Sequence, residues 1–142
     1  MKRFIKFKLC FCLIAMMCLL VSACGNGVED RDVWESATYL EDTTLGSGAK
    51  TVLVEVKAEE RSVTFTINTD KEQLGDALLE HNLIAGEEGV YGLYVKSVNG
   101  IMADYDINQS YWAITKDGES VLTGVDGIEI SDGEHYELVY TK

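Results

Sequence analysis

The clearest pattern in the chain is a pair of strictly alternating runs. Val52, Val54 and Val56 alternate with Leu53, Glu55 and Lys57, and Val63, Phe65 and Ile67 alternate with Thr64, Thr66 and Asn68. Period two with β-branched residues puts every second side chain on one face, which predicts a hairpin joined by the short charged connection Ala58-Glu59-Glu60-Arg61. A lone hairpin is marginal in water, so its apolar face needs cover. The following stretch supplies it. Asp70 as N-cap, Gln73 in capping-box position, and Leu74, Ala77, Leu78 and His81 along one face predict a helix ending near Asn82. Leu83, Ile84 and Ala85 read as a core plug, and Gly86-Glu87-Glu88-Gly89 as a loop.

Beyond that loop the alternation returns. Strands are predicted over Val90 to Val98, at Ile101-Met102 after an Asn99-Gly100 turn, and over Tyr111 to Lys116 with its return across Asp117-Gly118. The last runs from His135 to Thr141, where Tyr136, Leu138 and Tyr140 alternate with polar residues. A hairpin, one helix laid over it and a returning strand make an α+β fold. The arrangement is β-grasp-like: a mixed sheet of five to seven strands with one covering helix, formed by residues 51–142. Some ninety residues suffice for one such core.

The first residues have a different grammar. Lys2, Arg3, Lys6 and Lys8 precede an unbroken apolar run from Leu9 to Leu20, closed by Val21-Ser22-Ala23-Cys24. This is the pattern of a secretory signal over residues 1–23. Small residues before a cysteine resemble the lipobox of bacterial lipoproteins, which implies that Cys24 is diacylated and becomes the N-terminus of the exported chain. Two acyl chains give stable membrane anchoring. Cys10, Cys12 and Cys18 fall in the segment to be removed, so Cys24 is the odd cysteine left and no disulfide is available. Residues 24–50, rich in Gly, Ser, Thr and acidic residues, then read as a flexible tether. Within it Trp34 is either a docking point, an interfacial residue near the membrane, or an incidental aromatic.

Charge narrows the partners. Eight of the twelve Lys and Arg lie beyond Cys24 together with all 24 Asp and Glu, a formal charge of −16 for the exported chain. No basic cluster survives to neutralise phosphates, which argues against nucleic acid. No nucleophile elbow, phosphate loop or zinc-protease motif is present, and His81 and His135 are the only histidines. The sequence therefore gives no reason to expect an enzyme or a required cofactor. Asp126, Asp132 and Glu134 lack the spacing of a calcium loop and are better explained as turn residues.

What remains is binding chemistry. Tyr91, Tyr94, Tyr105, Tyr111, Trp112, Tyr136 and Tyr140 are many polar-tipped aromatics for so small a domain, suited to a flat amphipathic ligand or to cross-strand packing. The succession from Tyr91-Gly92-Leu93-Tyr94 through Asn99-Gly100, Tyr111-Trp112-Ala113-Ile114, Asp117-Gly118-Glu119, Gly124-Val125-Asp126 and Asp132 to Tyr140 resembles the transcobalamin-like C-terminal domain family, over roughly Thr64 to Thr141. That family is similar to the soluble-ligand-binding β-grasp group. The resemblance implies extracytoplasmic binding of cobalamin or a related corrinoid, with Tyr111, Trp112, Asn99 and Asp126 as the ligand-contacting residues.

The family's vitamin carriers pair this domain with a helical barrel that is absent here. Tight binding would then need a vitamin-uptake transporter or a second ligand-binding subunit. The expected function is a lipid-anchored binding protein on the extracytoplasmic face of the bacterial membrane. The alternative is a cell-surface protein–protein interaction module that uses an exposed β-edge and takes no small ligand.

Overall fold

The structure, a computed structural model, describes residues 31–142. The expected signal peptide and Cys24 lie outside the described residues. Nine strands form two sheets: β1 (Thr43–Gly46), β2 (Lys50–Ala58), β3 (Arg61–Thr69), β7 (Tyr111–Lys116), β8 (Glu119–Ser120) and β9 (His135–Thr141) in the first, and β4 (Ile84–Gly89), β5 (Gly92–Val98) and β6 (Ile101–Met102) in the second. Helix α1 spans Leu74–Glu80 and the single-turn α2 spans Tyr105–Asn108. The fold is α+β, but with two sheets in place of one sheet of five to seven strands, and with a second short helix. Among the described residues no helix is long and apolar enough to cross a membrane.

The large sheet has the order β1-β3-β2-β9-β7-β8. β2 and β3 form the predicted hairpin, closing at Ala58 and Arg61, and β9 returns parallel to β2 with Val54 beside Tyr136 and Val56 beside Leu138. The alternation did what it implies. Val52, Val54, Val56, Val63, Phe65 and Ile67 are buried, and Leu74, Ala77 and Leu78 of α1 belong to the same core. Helix α1 begins later than its capping signal suggested. Asp70 accepts a hydrogen bond from the Ala49 N–H at 2.8 Å and so is spent elsewhere, while the Leu74 N–H is satisfied by the Ile128 carbonyl.

The second sheet contains one unexpected strand. Gly86-Glu87-Glu88-Gly89, expected as a loop, completes β4, paired antiparallel to β5 with a register shift between Ala85 and Gly86. Its side chains carry no apolar alternation because only Ile84 is buried. Its backbone ladder alone makes it a strand.

The tether expected over residues 24–50 is corrected from Asp32 onward. A 3-10 turn (Val33–Ser36) inserts Trp34, only 3% exposed, into the core, and its indole Nε1–H donates to the Ala58 carbonyl at 2.9 Å. The Asp32 carboxylate accepts from the Trp34 N–H and from the Arg61 guanidinium, which lies 5.1 Å from the centre of the Trp34 ring. Tyr39 meets Phe65 edge to face, and β1 pairs in parallel with β3, Thr43 opposite Phe65 and Leu45 opposite Ile67. One buried indole and a row of backbone bonds order a segment that has no periodicity of its own.

Candidate functional site

The feature that sets up a site is the unfinished edge of β7. β9 pairs with all six of its residues, but on the other side β8 pairs only with Thr115 and Lys116. The Ile114 carbonyl accepts from the Val121 N–H at 2.9 Å on that outer side. Backbone groups alternate sides along an antiparallel strand, so the Trp112 N–H and C=O point to the same outer edge, where no strand pairs with them. The hairpin that leaves this edge open is the predicted one: Asp117 and Gly118 both take positive φ, at 49° and 83°.

Along this edge lies a cleft of about 360 Å³, walled by Tyr111 to Ile114 of β7, by Leu93 to Val95 of β5, and by the segment from Ser120 to Val125. No charged side chain lines it, although the chain is strongly acidic. A second hollow of about 330 Å³ adjoins it under the β4–β5 turn and shares Leu93, Tyr94 and Gly124. Around both, apolar side chains stand in solvent: Val90 is 95% exposed, Tyr91 91% and Leu122 96%. Three such residues at two turn tips contribute nothing to the core.

The four residues expected at a ligand do not all meet there. Tyr111 and Trp112 do. Tyr111 is half-exposed on the cleft wall, while Trp112 is mostly buried and stacks edge to face on Tyr140 at 5.5 Å. The indole N–H of Trp112 is buried without an acceptor among the described residues. Asn99 is corrected: it is fully buried, and both ends of its amide are taken by the backbone of Tyr39. Asp126 lines neither hollow. Its carboxylate accepts from the Leu93 N–H at 3.2 Å and fastens the start of β5 to the 3-10 turn Val125–Gly127. It braces the cleft from behind. Leu122, Leu93 and Val121 were missed; the sequence signal for Leu122 was an isolated leucine between a hairpin and a Thr-Gly turn.

Near the cleft, a polar cluster fixes the end of the β7–β9 ladder. Burial pushes the Glu134 carboxyl up, but hydrogen bonds from Lys116, the Tyr136 hydroxyl and the Ser131 N–H outweigh it and hold Glu134 below the usual carboxylate value. Burial, reinforced by that carboxylate, raises the Tyr136 phenol well above its ordinary value, so it stays a proton donor to Glu134. These groups satisfy one another and are structural.

A hairpin, a crossing helix and a parallel return strand make an α+β domain with an uncharged cleft along one sheet edge. The chain belongs to the family described as a domain of unknown function, DUF4430, whose model matches residues 72–142. It is similar to a solved protein of Ruminococcus gnavus ATCC 29149, described as a candidate metal-binding protein, with 38% identity over 66% of this chain and 98% of that one and a TM-score of 0.63. It also shares its fold with haptocorrin in complex with Cbi, at 18% identity and a TM-score of 0.54, spanning 69% of this chain and 26% of haptocorrin. No curated protein matches the chain.

Proposed function

We propose that this protein is a non-enzymatic ligand-binding module, exported and anchored by lipid on Cys24, whose edge cleft takes one face of an amphipathic ligand of the corrinoid type. The observation that carries the reading is the uncharged, aromatic-walled cleft on the open edge of β7. Its volume falls in the range of small-molecule sites, about 300–1,000 Å³. Aliphatic and aromatic walls suit an apolar ring system, and the free Trp112 N–H and C=O suit peripheral amides. Haptocorrin, which holds Cbi, supports the reading through its shared fold. One open cleft covers only part of a large ligand, so a transporter or a second binding subunit would close the other side.

The same open edge favours a second reading, in which an extended peptide of a surface partner adds a strand beside Trp112. The test is calorimetric titration of the purified full-length protein with cobinamide and cyanocobalamin, alongside Leu122→Ser and Tyr111→Ala. Both side chains are exposed enough for the variants to fold. Saturable heat that falls about tenfold in affinity in the variants, the equivalent of about 1.4 kcal/mol, is the expected result. A heatless titration at high protein concentration would overturn corrinoid binding by this protein alone.

A further inference from the structure

The outer face of the large sheet, away from the core, carries a second chemical grouping that the cleft does not use. The parallel register of β2 and β9 sets Glu55 directly beside Glu137, and Leu53 beside His135. The His135 Nε2 lies 3.6 Å from Glu55 Oε2, and one donor atom from each of Glu55, His135 and Glu137 falls within 4.8 Å of the other two. A resident cation already sits among them. The Lys57 ammonium is 3.1 Å from Glu137 Oε2 and 3.5 Å from Glu55 Oε2.

We propose that Glu55, His135 and Glu137 form a site for a divalent transition metal of the zinc class, with Lys57 as the counter-cation that the metal displaces. The donor set distinguishes this place from the rest of an acidic surface. One imidazole with two carboxylates is a ligand combination suited to zinc-class ions, whereas calcium and magnesium prefer oxygen alone. Metal–ligand bonds of about 2.0–2.2 Å put tetrahedral donors about 3.4 Å apart. Glu55 Oε2 and His135 Nε2, at 3.6 Å, already stand close to that spacing. All three ligands stand on the two central strands of a six-stranded sheet, so the backbone that carries them is held on both sides. His135 and Lys57 are each more than a third exposed in their side chains, which leaves an entry path for the ion and an exit for the ammonium. The acidic chain as a whole raises the local concentration of cations.

Lys57 makes the proposal separable from diffuse binding to carboxylates. If the ammonium occupies the metal's place, removing it must strengthen binding. The experiment is zinc titration of the full-length protein at neutral pH with magnesium in excess, read by calorimetry and by the imidazole nitrogen resonances. His81 serves as the internal control, since it lies at the end of α1 with its Nε2 buried. The expected result is one zinc per chain, a shift of the His135 ring nitrogens alone, affinity weakened at least about tenfold by His135→Gln and by Glu137→Gln, and affinity strengthened by Lys57→Met. Zinc that moves neither imidazole, that binds His135→Gln as well as the parent, or that is indifferent to Lys57→Met overturns the site. Melting curves of the variants without metal show whether each is folded, and Glu55→Gln provides a further ligand deletion should one fail.

Discussion

Asn99 holds the backbone of Tyr39 at both ends: its Oδ1 accepts the Tyr39 N–H at 2.9 Å and its Nδ2 donates to the Tyr39 carbonyl at 2.8 Å. Its own N–H donates to Leu83 and its own carbonyl accepts from Thr38, so one buried residue joins the N-terminal segment, the end of α1 and the β5–β6 turn. It does so at a φ of 52°, which asparagine tolerates better than most residues.

Asn99→Ala strands two part-buried backbone groups of Tyr39 and should cost about 1–3 kcal/mol. Hydrogen exchange would show where: the Tyr39 amide should lose its protection while the β2–β3 ladder keeps most of its own.

Trp34 makes the second attachment. Trp34→Ala empties a core position and should lower the unfolding free energy by about 3–5 kcal/mol in urea titration. A chain starting at Lys50, which deletes Trp34 and β1 together, should melt well below one starting at Asp32. Equal melting temperatures would mean that the segment merely rests on the domain.

Gly92 faces a different constraint. Its φ is 101°, and a Cβ there would sit 2.3 Å from Asp126 Oδ1, the atom that accepts the Leu93 N–H. Gly92→Ala should therefore cost more than about 1 kcal/mol. Part of that cost, the collision and not the backbone strain, should vanish in an Asp126→Ala background, which a double-mutant cycle measures.

Acid should reach the domain partly through Glu134. Its folded carboxyl titrates below the unfolded value of about 4.3, so its contribution is present above that pH and is lost as pH falls through the depressed folded value. Glu134→Gln should leave a flatter stability profile below about pH 4.3, with little change in slope above pH 6. Glu137, held low first by its hydrogen bond from Lys57, adds to the same acid loss, and Lys57→Met should weaken that part.

The hairpin β2–β3, the final strand and the turns at Asn99-Gly100 and Asp117-Gly118 were legible because side-chain alternation and positive-φ residues report on local structure. β4 was not: Gly86 to Gly89 is a strand only because β5 offers it a ladder. Nor was β1, whose parallel partner lies some twenty residues further on. The same limit applies to the sites. Tyr111 and Trp112 were expected from the family resemblance, because an aromatic pair at a strand start does not by itself separate a cleft wall from core packing, and both line the cleft. The neighbourhood of Glu55 and Glu137, 82 positions apart, exists only in the register of two parallel strands. Asn99 shows the reverse error: a turn asparagine looks available, and here it is consumed.

The order in which the N-terminal contacts follow one another has a mechanical meaning. Tension arriving through the residues before Asp32 meets the Asp32–Arg61 ion pair and the Trp34 indole first, and reaches the strand rungs of β1 only after the clamp on Tyr39 has yielded. A domain held from that end is loaded through a series of fasteners. β1 and the open edge of β7 stand toward opposite edges of the large sheet, and neither Asp32 nor Arg61 of the first fastener lines the cleft, so its shape can survive a tug that strips that fastener away.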